Sequence, residues 1–262
     1  MTDPSPRGRR HVDISLSALL GLQALTLFVA VPLGAAFPST RFLLDTCRLT
    51  FAIMSVAVLA RHRAIQAILL ASVAVLAAGP VLGGRLMVHL GFGSNAGHDV
   101  ISLTAFAFIG AVTILVARHV FGPGRVTVHR VRGAILMYLN VAALFAIAYG
   151  EIETFLPGAI APAGGGHLPT SLGLRAATLT YFSLSTITTT GFGDLAPVHP
   201  IARSLANFES VFGQLFPATL LARLVAIQLA HDDTPAHATL RPPGMAGADN
   251  PAPASRHAGR RA

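Results

Sequence analysis

Three threonines run directly into Gly191-Phe192-Gly193-Asp194, and this string, residues 188–194, holds the residue types a cation needs in order to leave water. A permeating ion exchanges its hydration shell for a ring of oxygens, and backbone carbonyls can supply them if the chain aims them at one axis. Glycine tolerates the φ values that such a backbone requires, which makes Gly191 and Gly193 the enabling positions. A threonine at the inner end adds a hydroxyl, so Thr189 would close the innermost site with both its carbonyl and its side chain. Gly-Phe-Gly alone carries little information: Gly91-Phe92-Gly93 repeats it without the threonine run.

The string needs elements to hold it. Residues 174–187 form an apolar run of helical length that is too short to span a bilayer, and residues 154–172 before it are a polar, Gly/Pro-rich loop. Irregular backbone at membrane depth is tolerated only where it is buried in protein or lines water. A short helix followed by such backbone therefore predicts a re-entrant pore loop. The C-terminus of that helix carries a partial negative charge and favours a cation beyond it.

Composition supplies the setting. Of 262 residues, 53% are hydrophobic and 11% charged, against roughly a quarter charged in soluble domains; the mean hydropathy is +0.63. Most soluble folds are excluded. Runs at 14–37, 42–60, 64–82, 100–117, 133–149 and 201–230 predict six membrane spans, each near the roughly 20 residues that a bilayer core requires. The expected fold is an all-α membrane protein with the pore helix and filter between the fifth and sixth spans. All nineteen basic residues are arginine, and the formal net charge is +8. Nucleic acid is not the expected partner, because these arginines flank the apolar runs. An inside N-terminus places fourteen of them on the cytoplasmic side and five outside, as the positive-inside rule asks. The expectation is a multi-pass protein of the cell (inner) membrane with both termini cytoplasmic.

The chain divides into a cytoplasmic tail (1–13), a four-helix transmembrane domain (14–121), a pore domain (122–230) and a Pro/Ala/Gly-rich tail expected to be disordered (231–262). A voltage sensor needs several regularly spaced arginines in one span, and the fourth span offers only Arg118 at its cytoplasmic end. The single cysteine, Cys47, permits no intrachain disulfide. No paired carboxylates and no Ser/His or Cys/His arrangement recur in the spans, so no enzyme is expected.

In the last span, Gly213 is followed by Pro217, which removes a backbone hydrogen bond and predicts a bend. The functional reading is a gating hinge, the alternative a static kink. Glu209, one turn earlier, is a carboxylate expected at membrane depth, where a partner is required. It is expected to pack behind the filter against a polar residue of the pore helix.

TITTTGFGD at 186–194, the aromatic pair Tyr181-Phe182, and FESVFGQLFPATLLARLVA at 208–226 together resemble a known family. It is that of tetrameric potassium channels with one pore loop per chain, specifically bacterial members of the two-helix ion-channel domain type. The resemblance implies that carbonyls of Thr189, Thr190, Gly191 and Phe192 bind potassium and that Gly193 completes the outer mouth. It also implies that Asp194 braces this mouth; Thr188, Ser185, Tyr181 and Glu209 are expected as its supports. It further implies a homotetramer in a lipid bilayer, with potassium as the permeant ion and no cofactor. Thr190 stands where valine or isoleucine is commoner, Phe192 where tyrosine is commoner, and Ser185 where some members carry a glutamate that pairs with the aspartate. The alternatives are a non-selective monovalent cation channel and a non-conducting membrane partner subunit.

Overall fold

A computed structural model describes residues 6–59, 66–78, 96–122 and 128–232. Helix α1 (Pro6–Leu25) runs without a break through a π-helical turn (Thr26–Ala30) into α2 (Val31–Ala36). Two features account for that widened turn: the Thr26 hydroxyl donates to the Leu22 carbonyl at 2.7 Å, and Pro32 removes an amide donor one turn after Phe28. Next come α3 (Arg41–Leu59), α4 (Gln66–Ala78), α5 (Ala96–Val120) and α6 (Val128–Phe155). The chain ends in β1 (Ile160–Pro162), α7 (Leu172–Ile187), β2 (Leu195–Pro197) and α8 (Pro200–Asp232). The architecture is that of an all-α membrane protein with one small strand pair.

Among the described residues, Ser15–Ala36, Asp99–Val120 and Arg130–Phe155 are long and apolar enough to cross a membrane. The first lies within the run 14–37, and the other two contain the fourth and fifth runs of the sequence. The helices reach beyond the runs because charged ends such as Arg130 and Glu153 still extend a helix. The second run lies in α3, whose Arg41, Asp45 and Arg48 lower its hydropathy, and the sixth lies in α8 with Arg203, Glu209 and Arg223. At 33 residues, α8 is about 50 Å long, well above a bilayer core of about 30 Å. The third run is represented by the 13 residues of α4; the loop carrying Gly91-Phe92-Gly93 and the tail from residue 233 lie outside the described residues. Helix α1 already begins at Pro6, within the stretch read as an N-terminal tail.

The largest apolar core joins α1, α3, α4, α5 and α6 through Leu19, Phe51, Leu69, Val112, Val116 and Leu136, and it receives Phe216 from α8. Gly133 lets α6 lie close to α5, since a Cβ there would meet Val120 at 2.8 Å. A second core, centred on Tyr149, Ile160, Leu179 and Phe182, surrounds α7. The loops on either side of α7 are clipped together: β1 pairs antiparallel with β2, Ile160 opposite Pro197 and Pro162 opposite Leu195. Buried Glu153, in the last turn of α6, accepts the amides of Gly158 at 2.7 Å and Ile160 at 3.2 Å, fixing the entry to that clip.

Candidate functional site

Helix α7 directs its apolar face, Leu179, Phe182 and Ile187, into the protein and stops where the threonine run begins. The next four amides turn back onto its end. Thr188 N donates to Leu184 O at 3.2 Å, Thr189 N to Thr186 O at 2.9 Å, and Thr190 N and Gly191 N to Ser185 O at 2.9 and 3.2 Å. Positive φ recurs at alternate residues, +55° at Thr189, +55° at Gly191 and +83° at Gly193. Alternation of this kind gathers successive N–H groups on one side, here the side of α7. Among the described residues, the carbonyl oxygens of Thr189, Thr190, Gly191, Phe192 and Gly193 accept no hydrogen bond, and all five residues are exposed.

Thr189 is the one non-glycine with positive φ among the described residues, a conformation that costs an L-residue about 1–2 kcal/mol. Such strain persists only where surrounding contacts hold it. The Thr189 hydroxyl donates to Thr188 O at 2.7 Å and accepts from the Gln214 amide of α8 at 2.5 Å. Neighbouring hydroxyls of Thr188 and Thr190 lie 2.8 Å apart.

Towards the C-terminal end of the string, the Phe192 ring stacks on Tyr181 with centroids 5.7 Å apart and planes 15° apart. The Tyr181 hydroxyl donates to Asp194 Oδ1 at 3.1 Å, while Asp194 O accepts the amide of Ala163 at 2.8 Å. Asp194 is thus held both by α7 and by the loop before it. Ser185 contributes through its carbonyl, which takes two loop amides; its hydroxyl turns back to Phe182 O at 3.1 Å.

Helix α8 supports the loop from behind. Glu209 is 0% exposed and accepts from the Tyr149 hydroxyl at 2.7 Å and the Ser183 hydroxyl at 2.5 Å, joining α6, α7 and α8. Tyr149 also meets Phe182 edge-on, with centroids 4.9 Å apart. One turn further, Gly213 lies against the last carbonyl of α7: a Cβ there would sit 1.8 Å from Ile187 O. The same oxygen accepts from Tyr138 of α6 at 2.9 Å, and Ser210 donates to Thr186 O at 3.3 Å. Pro217 lies within α8, which is continuous through it.

The structure thus brings Tyr181, Ser185, Thr188 to Asp194, Glu209 and Gly213 into one region around the end of α7. Tyr138, Tyr149, Ser183 and Gln214 were not singled out by sequence reasoning. Glu209 signalled that a partner exists, yet nothing in chain spacing pairs it with a tyrosine sixty positions away.

Residues 168–228 match a family model described as Ion channel. That segment opens just before α7 and ends within α8, so it contains α7, the exposed carbonyls and most of the supporting helix. The match supports ion-channel activity for the chain. No curated protein and no solved structure matches the chain.

Proposed function

We propose that the chain is one subunit of a homotetrameric, potassium-selective channel that conducts passively across the cell (inner) membrane. In this reading six spans cross the bilayer with both termini cytoplasmic, and α7 enters as a re-entrant pore helix. The observation that carries the proposal is the run of five exposed carbonyls, residues 189–193, whose N–H groups at 189–191 are engaged on the opposite side. One chain offers a single file of oxygens. Four copies around an axis make rings of neutral oxygens that replace a potassium ion's water. The carbonyls of Thr189, Thr190, Gly191 and Phe192 and the Thr189 hydroxyl bind the ion, and no other cofactor is required. Bending of α8 at Gly213 and Pro217 gates the pathway, and the absence of an arginine array leaves the channel without strong voltage dependence.

A non-selective cation channel is favoured by one observation: Phe192 offers only ring stacking to α7, so among the described residues the outer mouth has one side-chain hydrogen bond to α7, Tyr181–Asp194. The reversal potential of the purified protein in a planar bilayer, with potassium on one side and sodium on the other, separates the readings. A value near the potassium equilibrium potential supports selectivity, one near zero the alternative, and an absence of current the non-conducting subunit.

A further inference from the structure

Away from the 188–194 string, four buried polar side chains stand at one level of the apolar bundle: Gln23 on α1, Ser55 on α3, Thr113 on α5 and Asn140 on α6. Close contacts elsewhere along these helices set that level. A Cβ on Gly34 would meet Leu44 at 3.3 Å; eleven residues back along α2 and α1, and eleven forward along antiparallel α3, lead to Gln23 and Ser55. A Cβ on Gly133 would meet Val120 at 2.8 Å; seven residues on along α6, and seven back along antiparallel α5, lead to Asn140 and Thr113. Leu27, one turn after Gln23, packs with Leu139 and Ala143 and so joins the two pairs. All four residues also face the same core, because Leu19, Phe51, Val116 and Leu136, each three or four positions away on the same helix, belong to it.

Two of the four lack partners. Ser55 Oγ and both polar atoms of the Asn140 carboxamide make no hydrogen bond among the described residues, and both residues are 0% exposed. Thr26, Thr46, Thr104 and Thr113 each donate to the carbonyl four residues back, the local resort of a hydroxyl in a helix; Ser55 forgoes it. Helix α1 packs on α3 and α6, and α5 packs on the same two, so the four close a ring in which α3 and α6 stand opposite. Neighbouring axes about 8–10 Å apart put opposite axes about 13 Å apart, too far for two short side chains to meet directly.

We propose that Ser55 and Asn140 bind water at the centre of this ring, bridging α3 to α6. Buried polar groups without partners are costly, and water is the usual remedy where several converge. The chemistry of the set selects this ligand. All four side chains are neutral; a cation would leave the Asn140 amide hydrogens unpaired and an anion would leave its Oδ1 unpaired, whereas water both donates and accepts. The Thr113 hydroxyl, its proton committed to Ile109 O at 2.7 Å, has its oxygen left to accept from the same water.

The probe is water itself. X-ray radiolysis turns bound water into hydroxyl radicals that oxidise adjacent side chains, and Met137, 6% exposed and three residues before Asn140, is the reporter. In full-length parent protein in lipid nanodiscs, oxidation of Met137 is expected by mass spectrometry, and Asn140→Leu, an apolar residue of similar size, is expected to lose it. Ser55→Ala adds no bulk, so it keeps the test open should Asn140→Leu fold poorly; it is expected to reduce the same oxidation. Each substitution should also lower the melting temperature by about 2–4 °C, and the double variant by less than the sum, since either change alone removes the bridge. A dry layer predicts the opposite sign, because deleting an unpaired buried polar group relieves its desolvation. An unoxidised Met137 in the parent, equal oxidation in the parent and both variants, or melting raised by both substitutions would overturn the site.

Discussion

Replacing Gly213 by alanine tests whether this glycine serves chiefly as a contact between α8 and α7. The added Cβ would lie 1.8 Å from Ile187 O and 2.7 Å from Ile187 C, where separations below 3.0 Å force movement. The obstacle is backbone, so no side-chain rotation relieves it. Raising 1.8 Å to 3.0 Å requires the helices to part by about 1.2 Å. The Ser210–Thr186 bond, already 3.3 Å, is then lost, and the 2.5 Å Gln214–Thr189 bond is lengthened beyond good geometry. Overpacking of this kind costs about 1–3 kcal/mol, and each lost hydrogen bond about 0.5–1.5 kcal/mol. The expected destabilisation is therefore about 3 kcal/mol per chain, with Thr189 released from its strained conformation. Thermal melting of the detergent-solubilised protein measures the first effect, and bilayer recording of unitary conductance and ion selectivity measures the second. A hinge role alone predicts a different pattern, in which open probability changes while melting and unitary conductance do not. An unchanged melting point together with parental conductance would refute the contact argument.

Three further substitutions act on separate parts of the site. Gly193→Ala places a methyl group on a residue at φ +83°, a strain of about 1–2 kcal/mol in every copy, and is expected to abolish or nearly abolish potassium current in bilayer recordings. Glu209→Ala leaves the buried Tyr149 hydroxyl without its acceptor, at about 1–3 kcal/mol, while the Ser183 hydroxyl keeps the Ala142 carbonyl at 2.7 Å, and should lower the melting temperature. Glu209→Gln, which keeps one acceptor oxygen, should lower it less, and the loss should be non-additive with Tyr149→Phe in a double-mutant cycle. Tyr181→Phe keeps the stack on Phe192 but removes the hydrogen bond to Asp194; currents that begin normally and decline faster under sustained potassium flux are expected, and a parental time course would count against this bracing role.

The local parts of this arrangement were legible in the sequence. The short apolar run at 174–187 anticipated α7 (Leu172–Ile187) to within two residues, because a helix bounded by Gly/Pro-rich loop and a threonine-glycine string has little freedom in its limits. The glycines at 191 and 193 announced positive φ. Positive φ at Thr189 was hidden, since a β-branched residue is a poor occupant of that region and it is held by contacts with Thr186, Thr188 and Gln214. The sixth run, 201–230, matched α8 to within two residues, whereas the ends of α1 and α6 were less legible: hydropathy locates apolar surface, and these helices continue through Arg9, Arg10, Arg130 and Glu151 by backbone hydrogen bonding. Contacts between helices were hidden for a different reason. Tyr138, Tyr149 and Ser183 resemble ordinary polar residues in an apolar run until three helices converge on Glu209 and Ile187.

One requirement of helix ends connects these pieces. The last four carbonyls of any α-helix lack intrahelical partners, and at the end of α7 each of them finds one. Leu184 O takes the amide of Thr188, Ser185 O those of Thr190 and Gly191, and Thr186 O that of Thr189. Ile187 O takes the hydroxyl of Tyr138. Three of the four are satisfied by the loop itself, and this is possible only if the loop turns its N–H groups towards α7, which Thr189 and Gly191 accomplish through positive φ. Once the amides of Thr190 and Gly191 are committed to the helix end, the carbonyls of the same peptides, those of Thr189 and Thr190, must face the other way. The first two oxygens of the free file and the capping of α7 are consequently one structural solution, so any change that uncaps the helix should also disorder those oxygens. This is why Tyr138, Gly213 and Gln214, none of which lies in the 188–194 string, belong to the site.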